Sequence, residues 1–531
     1  MTKKINLIFL AMLILYSLYC ALQLGYTWDV LFYYEVGKER LDYLLSLGLN
    51  DVDEKILARK FLTGAYSTIS AFFVQFFPQK FTLEAIYLLN LIFSVLTVFG
   101  TYKISKIFFN KQVAQITFVI CFFNPIFFGH MAMNSIDTII AFANVWFFYE
   151  LIRYFKNQQI NKKKNNYVIF CGLFLGLGLG VRYSFFITLV PYLIFSILEI
   201  FYFKILINKK FSRKMFFSDS IKVILIGYFF MVLFWPHTHQ NIFVLPFKLA
   251  IEAFSFGFGA PFILFNGEIF QPHELPKNYI LVSLFYKMPE FIILSFLSFT
   301  ILFYKIGPYL KQEFKGFYFK IFLVIFIIVF PNILFLFSPY SVYDGLRLFL
   351  FLIPFICIIP SVLVYFLFKK IKNIFYMTTF SLLILFKIFF LFNFFLITPY
   401  HYVYLNLFAG KYSENSEKFE NDYWGVSTKK LISRINEYEE MFQDKKIKIA
   451  ICGLPEDAQK YYLDKVKNLN FEIVGKNTNF DFMIMNNRTI WEKENDMYNP
   501  KKAKTCFQKF SGEDLIILER RGLVIAKIIK I

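Results

Sequence analysis

Long apolar runs, separated by loops whose positive charge alternates, constrain this chain more than any other feature. The runs fall at about 7–24, 83–102, 113–130, 135–153, 167–183, 185–203, 220–238, 279–303, 318–337, 346–368 and 374–397. A helix of roughly 20 apolar residues crosses a bilayer, so the pattern predicts about eleven transmembrane helices. With Lys3 and Lys4 inside, every second loop is basic. These loops carry Lys103, Lys106 and Lys111; then Lys156 with Lys162 to Lys164; then Lys204, Lys209, Lys210, Arg213 and Lys214; then Lys305, Lys311 and Lys315; then Lys369, Lys370 and Lys372. The loops between them are balanced or nearly uncharged. Excess Lys and Arg marks the cytoplasmic side. The expectation is a multi-pass membrane protein with its N-terminus inside and everything after about residue 398 outside. The opening MTKKINLIFLAMLILYSLYC has no small-residue cleavage site and reads as an uncleaved first span. The stretch LTGAYSTISAFFVQF at 63–77 is short and studded with Ser, Thr and Gln. It reads as an interfacial or re-entrant helix, since a further span there would break the alternation.

Composition agrees. A chain that is 57% hydrophobic, with 76 Phe and 34 Tyr, holds more apolar surface than one soluble core can bury. The net charge of +20 belongs to short loops between spans, which removes the case for nucleic acid as a partner. Cys20, Cys121, Cys171 and Cys357 lie in apolar runs; Cys452 and Cys506 lie in the polar tail, and their pairing is left open. No CxxC or His/Cys cluster predicts a zinc site. No metal or other cofactor is called for, and metal dependence stays open.

Residues 1–405 read as the membrane domain, with a first outer loop at 25–82, and 406–531 as a small extracytoplasmic α/β domain. In the tail, STKKLISRINEYEEMF has an amphipathic helical pattern and KIKIAICG reads as a buried strand, followed by the helix-like EDAQKYYLDKVKNL. FEIVG and FDFMIMN are further strands. DLIILERRGLVIAKIIKI reads as a hairpin about Arg521–Gly522. The tail's strand–helix junction at Gly453 lacks a GxGxxG pattern, so nothing there predicts nucleotide binding.

Five outer segments collect the residues that can do chemistry. Asp29 follows the first span, among Trp28, Phe32, Tyr33 and Tyr34. It is either a solvated residue of an interfacial helix or a general base acting on an acceptor hydroxyl. Asp137 stands at a span start beside His130 and Asn134; either it favours the helix start, with Ser135 as N-cap, or it orients a substrate or a cation near Asp29. Arg182 is the lone cation of its hairpin, after Gly176, Gly178 and Gly180, which permit close helix approach. It either snorkels to headgroups or clamps a lipid phosphate. Arg347 has the same two readings, and Asp344 three residues earlier also offers it an ion pair. His273 and Glu274 lie in a long loop expected to cover the site.

Several segments together resemble the protein O-mannosyltransferase-like group, glycosyltransferase family 39 of the C-type (GT-C) superfamily. They are NPIFFGHMAMNSID, GLGLGVRYSFF, FNGEIFQPHELPKNYI with KMPEF, VYDGLRLFLF and PYHYVYLNLFAG with FENDYWG, in that order. The resemblance runs from about residue 20 to 430 and more weakly through the tail. It implies transfer of a sugar from a polyprenyl-phosphate donor to a lipid, glycan or protein acceptor among the membrane lipids of the outer face. It gives Asp29 the part of the base and Asp137 a second catalytic part. Arg182 would hold the phosphate, with Arg347 or with Arg59 and Lys60; His130 and Asn134 would line the site. Two departures stand out. The group's Asp-Glu pair is Asp29-Val30 here, so Glu35 or Asp137 is left to fill the second acidic place, and a His-Pro-Pro stretch is replaced by ARKFLTGAYST. Competing readings are a lipid or polysaccharide transporter or flippase, a polymerase or ligase using a diphosphate-linked donor, and a scaffold displaying the tail domain.

Overall fold

The computed structural model describes residues 3–53, 57–254, 256, 262–337, 340–438, 446–490 and 503–531. Residues 54–56 of the first outer loop and 439–442 of the amphipathic stretch lie outside the described residues.

Among the described residues, eight helical stretches are long and apolar enough to cross a membrane. They are Gln79–Phe108, Lys163–Val181, Phe185–Phe203, Arg213–Leu233, Glu290–Glu313, Phe317–Phe337, Arg347–Lys369 and Ile374–Leu396. The three other expected spans are helices of a different make. The first is Lys3–Gln23, whose apolar part is Leu7–Gln23. The second is broken in two, Lys111–Phe122 and Pro125–His130. There Asn124 accepts from the Phe127 N–H at 3.2 Å and Pro125 starts the new helix, a pairing of cap and N1 proline that restarts a chain. The third, Asp137–Asn157, carries Asp137, Glu150, Arg153 and Lys156, and these charges lower its apolarity.

One expected boundary is wrong. The run 279–303 is two helices, Tyr279–Lys287 and Glu290–Glu313, with Met288 and Pro289 extended between them. Pro289 has no N–H to give the first helix and its fixed φ suits the residue before the second. The crossing helix therefore extends ten residues past the expected end. The stretch at 63–77 is a ten-residue helix, Ala65–Val74. Ten residues rise about 15 Å, half a hydrocarbon core, so it does not span. Close approach of Asn161–Val181 to Arg213–Leu233 does depend on a small residue: a Cβ at Gly176 would lie 2.6 Å from the Phe230 Cβ.

The tail forms a five-stranded sheet of β3 (Ile447–Cys452), β4 (Phe471–Val474), β5 (Phe482–Asn486), β8 (Glu513–Arg520) and β9 (Leu523–Lys530). The hairpin β1 (Ile263–Phe265) and β2 (Glu268–Phe270) lies in the long loop, and β6 (Thr489–Ile490) pairs with β7 (Lys504–Thr505). The sheet order is β4-β3-β5-β9-β8, with β3 parallel to β4 and β5, and β9 antiparallel to β5 and β8. The terminal hairpin turns at Arg521–Gly522, both at positive φ. Cys452 and Cys506, both buried, form a disulfide with Cα atoms 5.9 Å apart. The amphipathic stretch is shorter than its pattern: Thr428–Ser433 and then a 3-10 turn over Arg434–Tyr438. The sheet packs on the end of the helix bundle that carries Asp29. Tyr462 accepts from the Tyr26 N–H at 3.0 Å, and Arg520 donates to the Thr398 carbonyl at 2.8 Å.

Candidate active site

The segment before Asp29 is pinned from the far end of the sequence. The N–H groups of Gly25 and Trp28 donate to the carbonyls of Val426 and Trp424, at 2.9 and 3.3 Å. Asp29 then stands at the N-cap of the helix Val30–Leu45, with its side chain about a third exposed (31%). Its Oδ2 lies 3.3 Å from one terminal nitrogen of Arg347.

Arg347 is the hub. It opens the turn Arg347–Leu352 and its side chain is 7% exposed. Its second terminal nitrogen meets Asp344 Oδ2 at 2.8 Å and its Nε meets Asp137 Oδ2 at 3.3 Å. The guanidinium lies over the rings of Trp424, at 4.6 Å, and Tyr343, at 5.0 Å. The network continues at both sides. Asp137 Oδ1 lies 3.1 Å from Arg182, and Asp344 Oδ1 lies 3.5 Å from Arg488, a residue of the tail. Three carboxylates alternate with three guanidinium groups, so the ions neutralise one another. Buried charge persists when it is paired in this way.

Burial is the largest influence on the Asp29 carboxyl and raises its pKa above the usual aspartate value; Arg347 works in the opposite direction, and Asp344 and Asp137 add to the rise. Behind Asp344, Lys287 is buried, and burial lowers its amine to about 8 against the pull of Glu420 and Asp344. Glu420 is raised by burial, with Arg488 opposing.

Of the expected residues, Asp29, Asp137, Arg182 and Arg347 come together. Asn134 supports them: its Oδ1 accepts from the N–H groups of Ile136 and Asp137, at 3.0 and 2.8 Å, and its amide donates to Asp137 Oδ2 at 3.1 Å. Asn134, not the expected Ser135, therefore closes the start of that helix. His130 is fully buried behind the network. Its Nδ1 faces the Ile126 carbonyl at 2.7 Å, which can only accept, so Nδ1 carries the proton and Nε2 accepts from the Tyr423 hydroxyl at 3.0 Å. Both nitrogens are thereby committed to protein. Arg59, Lys60 and Glu35 are not brought to Asp29. Arg59 pairs with Glu39 and lies 3.7 Å from Glu35, whose side chain is 64% exposed; Lys60 lies 3.6 Å from Glu252. His273 and Glu274 are exposed on their loop. Among the described residues, no group of three or more His, Cys, Asp and Glu is disposed to hold a metal ion.

Sequence reasoning missed Arg488, Lys287, Glu420 and Trp424. The last three stand inside segments that carried the resemblance, KMPEF and FENDYWG, but nothing in those segments gave them a partner. The FENDYWG turn is built around Asp422, which is fully buried and accepts from Tyr402, from the Ser427 hydroxyl and from the N–H groups of Val426 and Ser427. The end of β5 grips the same turn. Asn486 donates to the Asp422 carbonyl at 2.8 Å, Asn487 donates to the Phe419 carbonyl at 2.7 Å, and Arg488 donates to the Tyr423 carbonyl. The turn in turn sets Trp424 on Arg347.

Residues 65–239 match the family model described as dolichyl-phosphate-mannose-protein mannosyltransferase. The chain superposes on ArnT from Cupriavidus metallidurans in the apo state, with a TM-score of 0.50 and 10% identity, over 90% of this chain and 86% of that one. ArnT bound to undecaprenyl phosphate gives 0.49 and 8%, over 90% and 87%. The apo oligosaccharyltransferase of Archaeoglobus fulgidus gives 0.49 and 9%, over 90% and 69%. No curated protein matches the chain in sequence. The fold is the GT-C fold that ArnT has.

Proposed function

We propose that this protein is an integral membrane glycosyltransferase that moves a sugar from a polyprenyl-phosphate donor to an acceptor hydroxyl or amine. The observation that carries the reading is Asp29: a partly exposed carboxylate with one oxygen held by Arg347 and the other left to take a proton. In the reaction the acceptor gives its proton to Asp29 and its oxygen or nitrogen attacks C1 of the sugar. The C1–O bond breaks, and the lipid phosphate leaves with the electron pair. One base and one displacement invert the anomeric centre. Arg182 has one nitrogen on Asp137 and a side chain 30% exposed, which leaves donors for the departing phosphate. Asp137, with both oxygens already bonded, positions Arg182 and Arg347. The FENDYWG turn and Arg488 tie the tail to the hub, so 1–405 supplies the carboxylates and 406–531 closes the site from one side.

The Asp29 end faces outward in this reading, in the inner membrane of a bacterium. Basic loops at the opposite end and the Cys452–Cys506 disulfide, a bond of oxidising compartments, support it. A reporter after Lys164 is expected in the cytoplasm and one after Ile531 on the other side; a common compartment overturns this orientation. The test of function is sugar transfer in proteoliposomes supplied with lipid-phosphate sugars. Absence of transfer with every such donor gives the ground to a transporter.

A further inference from the structure

The helix Val30–Leu45 presents a second polar face beyond Asp29. Val30, Tyr33 and Arg40 share a face of it, and all three line a crevice. The short helix Ala65–Val74 supplies Ser67 and Ser70 to the other wall, and Ser135 lies at one end. The hydroxyls of Tyr33, Ser70 and Ser135 have no hydrogen-bond partner among the described residues.

Arg40 is the unusual member. It is fully buried. One terminal nitrogen donates to the carbonyls of Arg59, at 2.9 Å, and Leu62. Its Nε and its other terminal nitrogen have no hydrogen-bond partner. Gly64 makes room for the group: its φ is +82°, and a Cβ there would lie 1.6 Å from that free nitrogen. The neighbouring carboxylate, Glu39, is bonded to Arg59 through one oxygen, and its other oxygen makes no hydrogen bond to Arg40. Burial lowers the Arg40 guanidinium to about 9, with Glu39 opposing. A buried cation with open donors is costly unless something anionic meets it.

The donor's own phosphate is too close to the base to be that anion. A base stands about 3 Å from the group it deprotonates and reacting atoms stand about 3.5 Å apart, so the leaving phosphate stays within about 8 Å of Asp29. Arg40 follows Asp29 by eleven residues, about 16 Å along a helix. Tyr33 stands between, feeling the charge of Asp29 on one side and acting on Arg40 on the other.

We propose that the crevice is an acceptor subsite, in which Arg40 binds a phosphate or carboxylate carried by a carbohydrate acceptor and the hydroxyl wall binds its sugar rings. Its assignment to the acceptor rests on Asp29 being the base; its binding of an anionic sugar does not. The test is calorimetric titration of the full chain in lipid nanodiscs with glucose 6-phosphate, glucuronate and glucose. At least one anionic sugar is expected to bind and glucose at least tenfold more weakly. The anionic sugar that binds tells phosphate from carboxylate. Arg40→Gln should weaken binding at least tenfold. Because Arg40 also holds the turn at 59–62, Ser70→Leu serves as the second variant: it fills the crevice, leaves Arg40 in place and should weaken binding equally. Arg182→Gln should bind as the parent does. The subsite is overturned if neither anionic sugar binds, if glucose binds as well, or if binding survives Arg40→Gln and Ser70→Leu but is lost in Arg182→Gln. Failure of sugar transfer with Arg40-dependent binding intact would remove the acceptor assignment alone.

Discussion

Both ends of the helix bundle bury carboxylates, and they treat them differently. At the basic-loop end, Asp219 accepts from the Tyr154 hydroxyl at 2.9 Å and pairs with Lys222 at 2.9 Å and Lys164 at 3.9 Å. Glu199 accepts from the Ile207 N–H at 2.9 Å and from that of Leu206. Partners come from nearby helices or the same turn, and one oxygen of Glu199 is buried without a hydrogen-bond partner. At the other end the partners are drawn from across the chain: Asp29 to Arg347, Arg347 to Asp137, Asp344 to Arg488. That network stays partly open at Asp29, 31% exposed, and at Arg182, 30% exposed. The carboxylates of the first end tie neighbouring helices together; of the three in the hub at the second end, Asp29 alone is partly exposed.

The widest separation of the two ends is expected from Asp29→Asn. It keeps shape and hydrogen bonding but takes up no proton, so sugar transfer in proteoliposomes should fall at least ~10²-fold with donor binding nearly unchanged. Normal transfer by this variant, beside a dead Asp137→Asn, would move the base to Asp137. Arg347→Gln should act on stability and pH together. Breaking a buried pair costs about 3–5 kcal/mol in thermal unfolding. Arg347 lowers the Asp29 pKa, so its loss should raise that pKa further. Transfer requires the ionised base, so the rate falls as pH drops through this pKa, and the acid limb of the pH–rate profile should move to higher pH in the variant. A limb that stays put or moves down separates the limb from Asp29.

Smaller effects follow. Arg182→Lys keeps charge and loses the planar fork, and donor use should weaken about tenfold, the worth of one charge-assisted hydrogen bond. Unchanged kinetics in both Arg182→Lys and Arg182→Ala would leave Arg182 to headgroups. Asp137→Asn should reduce transfer less than Asp29→Asn, since it only positions two arginines. Asp219→Asn should lower the unfolding free energy by about 1–3 kcal/mol and leave transfer per folded molecule as it was. A loss of transfer there would erase the contrast between the ends.

The sequence made the span pattern and tail strands legible because both rest on local periodicity and charge. The break at Met288–Pro289 was hidden because apolar residues flank it on both sides. Asp29, Asp137, Arg182 and Arg347 could be picked out one by one as ionisable residues at span ends. Their joining through one guanidinium could not, since no spacing links residues 29, 137 and 347. Arg488 gave no sign at all: an arginine after a strand in a polar tail is ordinary until Asp344 is seen beside it. Arg59 and Lys60 show the opposite error, since cations in the right loop were already spent on Glu39 and Glu252.

The place of Arg488 in the chain has a consequence for how the protein is made. Ribosomes deliver the helices first, and the hub built by Arg347 can form as soon as its span is inserted. Asp344 gains its second arginine, and Trp424 its fixing turn, only after β5 has been synthesised and folded. Until then the half-made site lacks one positive charge of three. A nascent membrane domain is thus held unfinished, and the full ion-pair network appears when the tail docks.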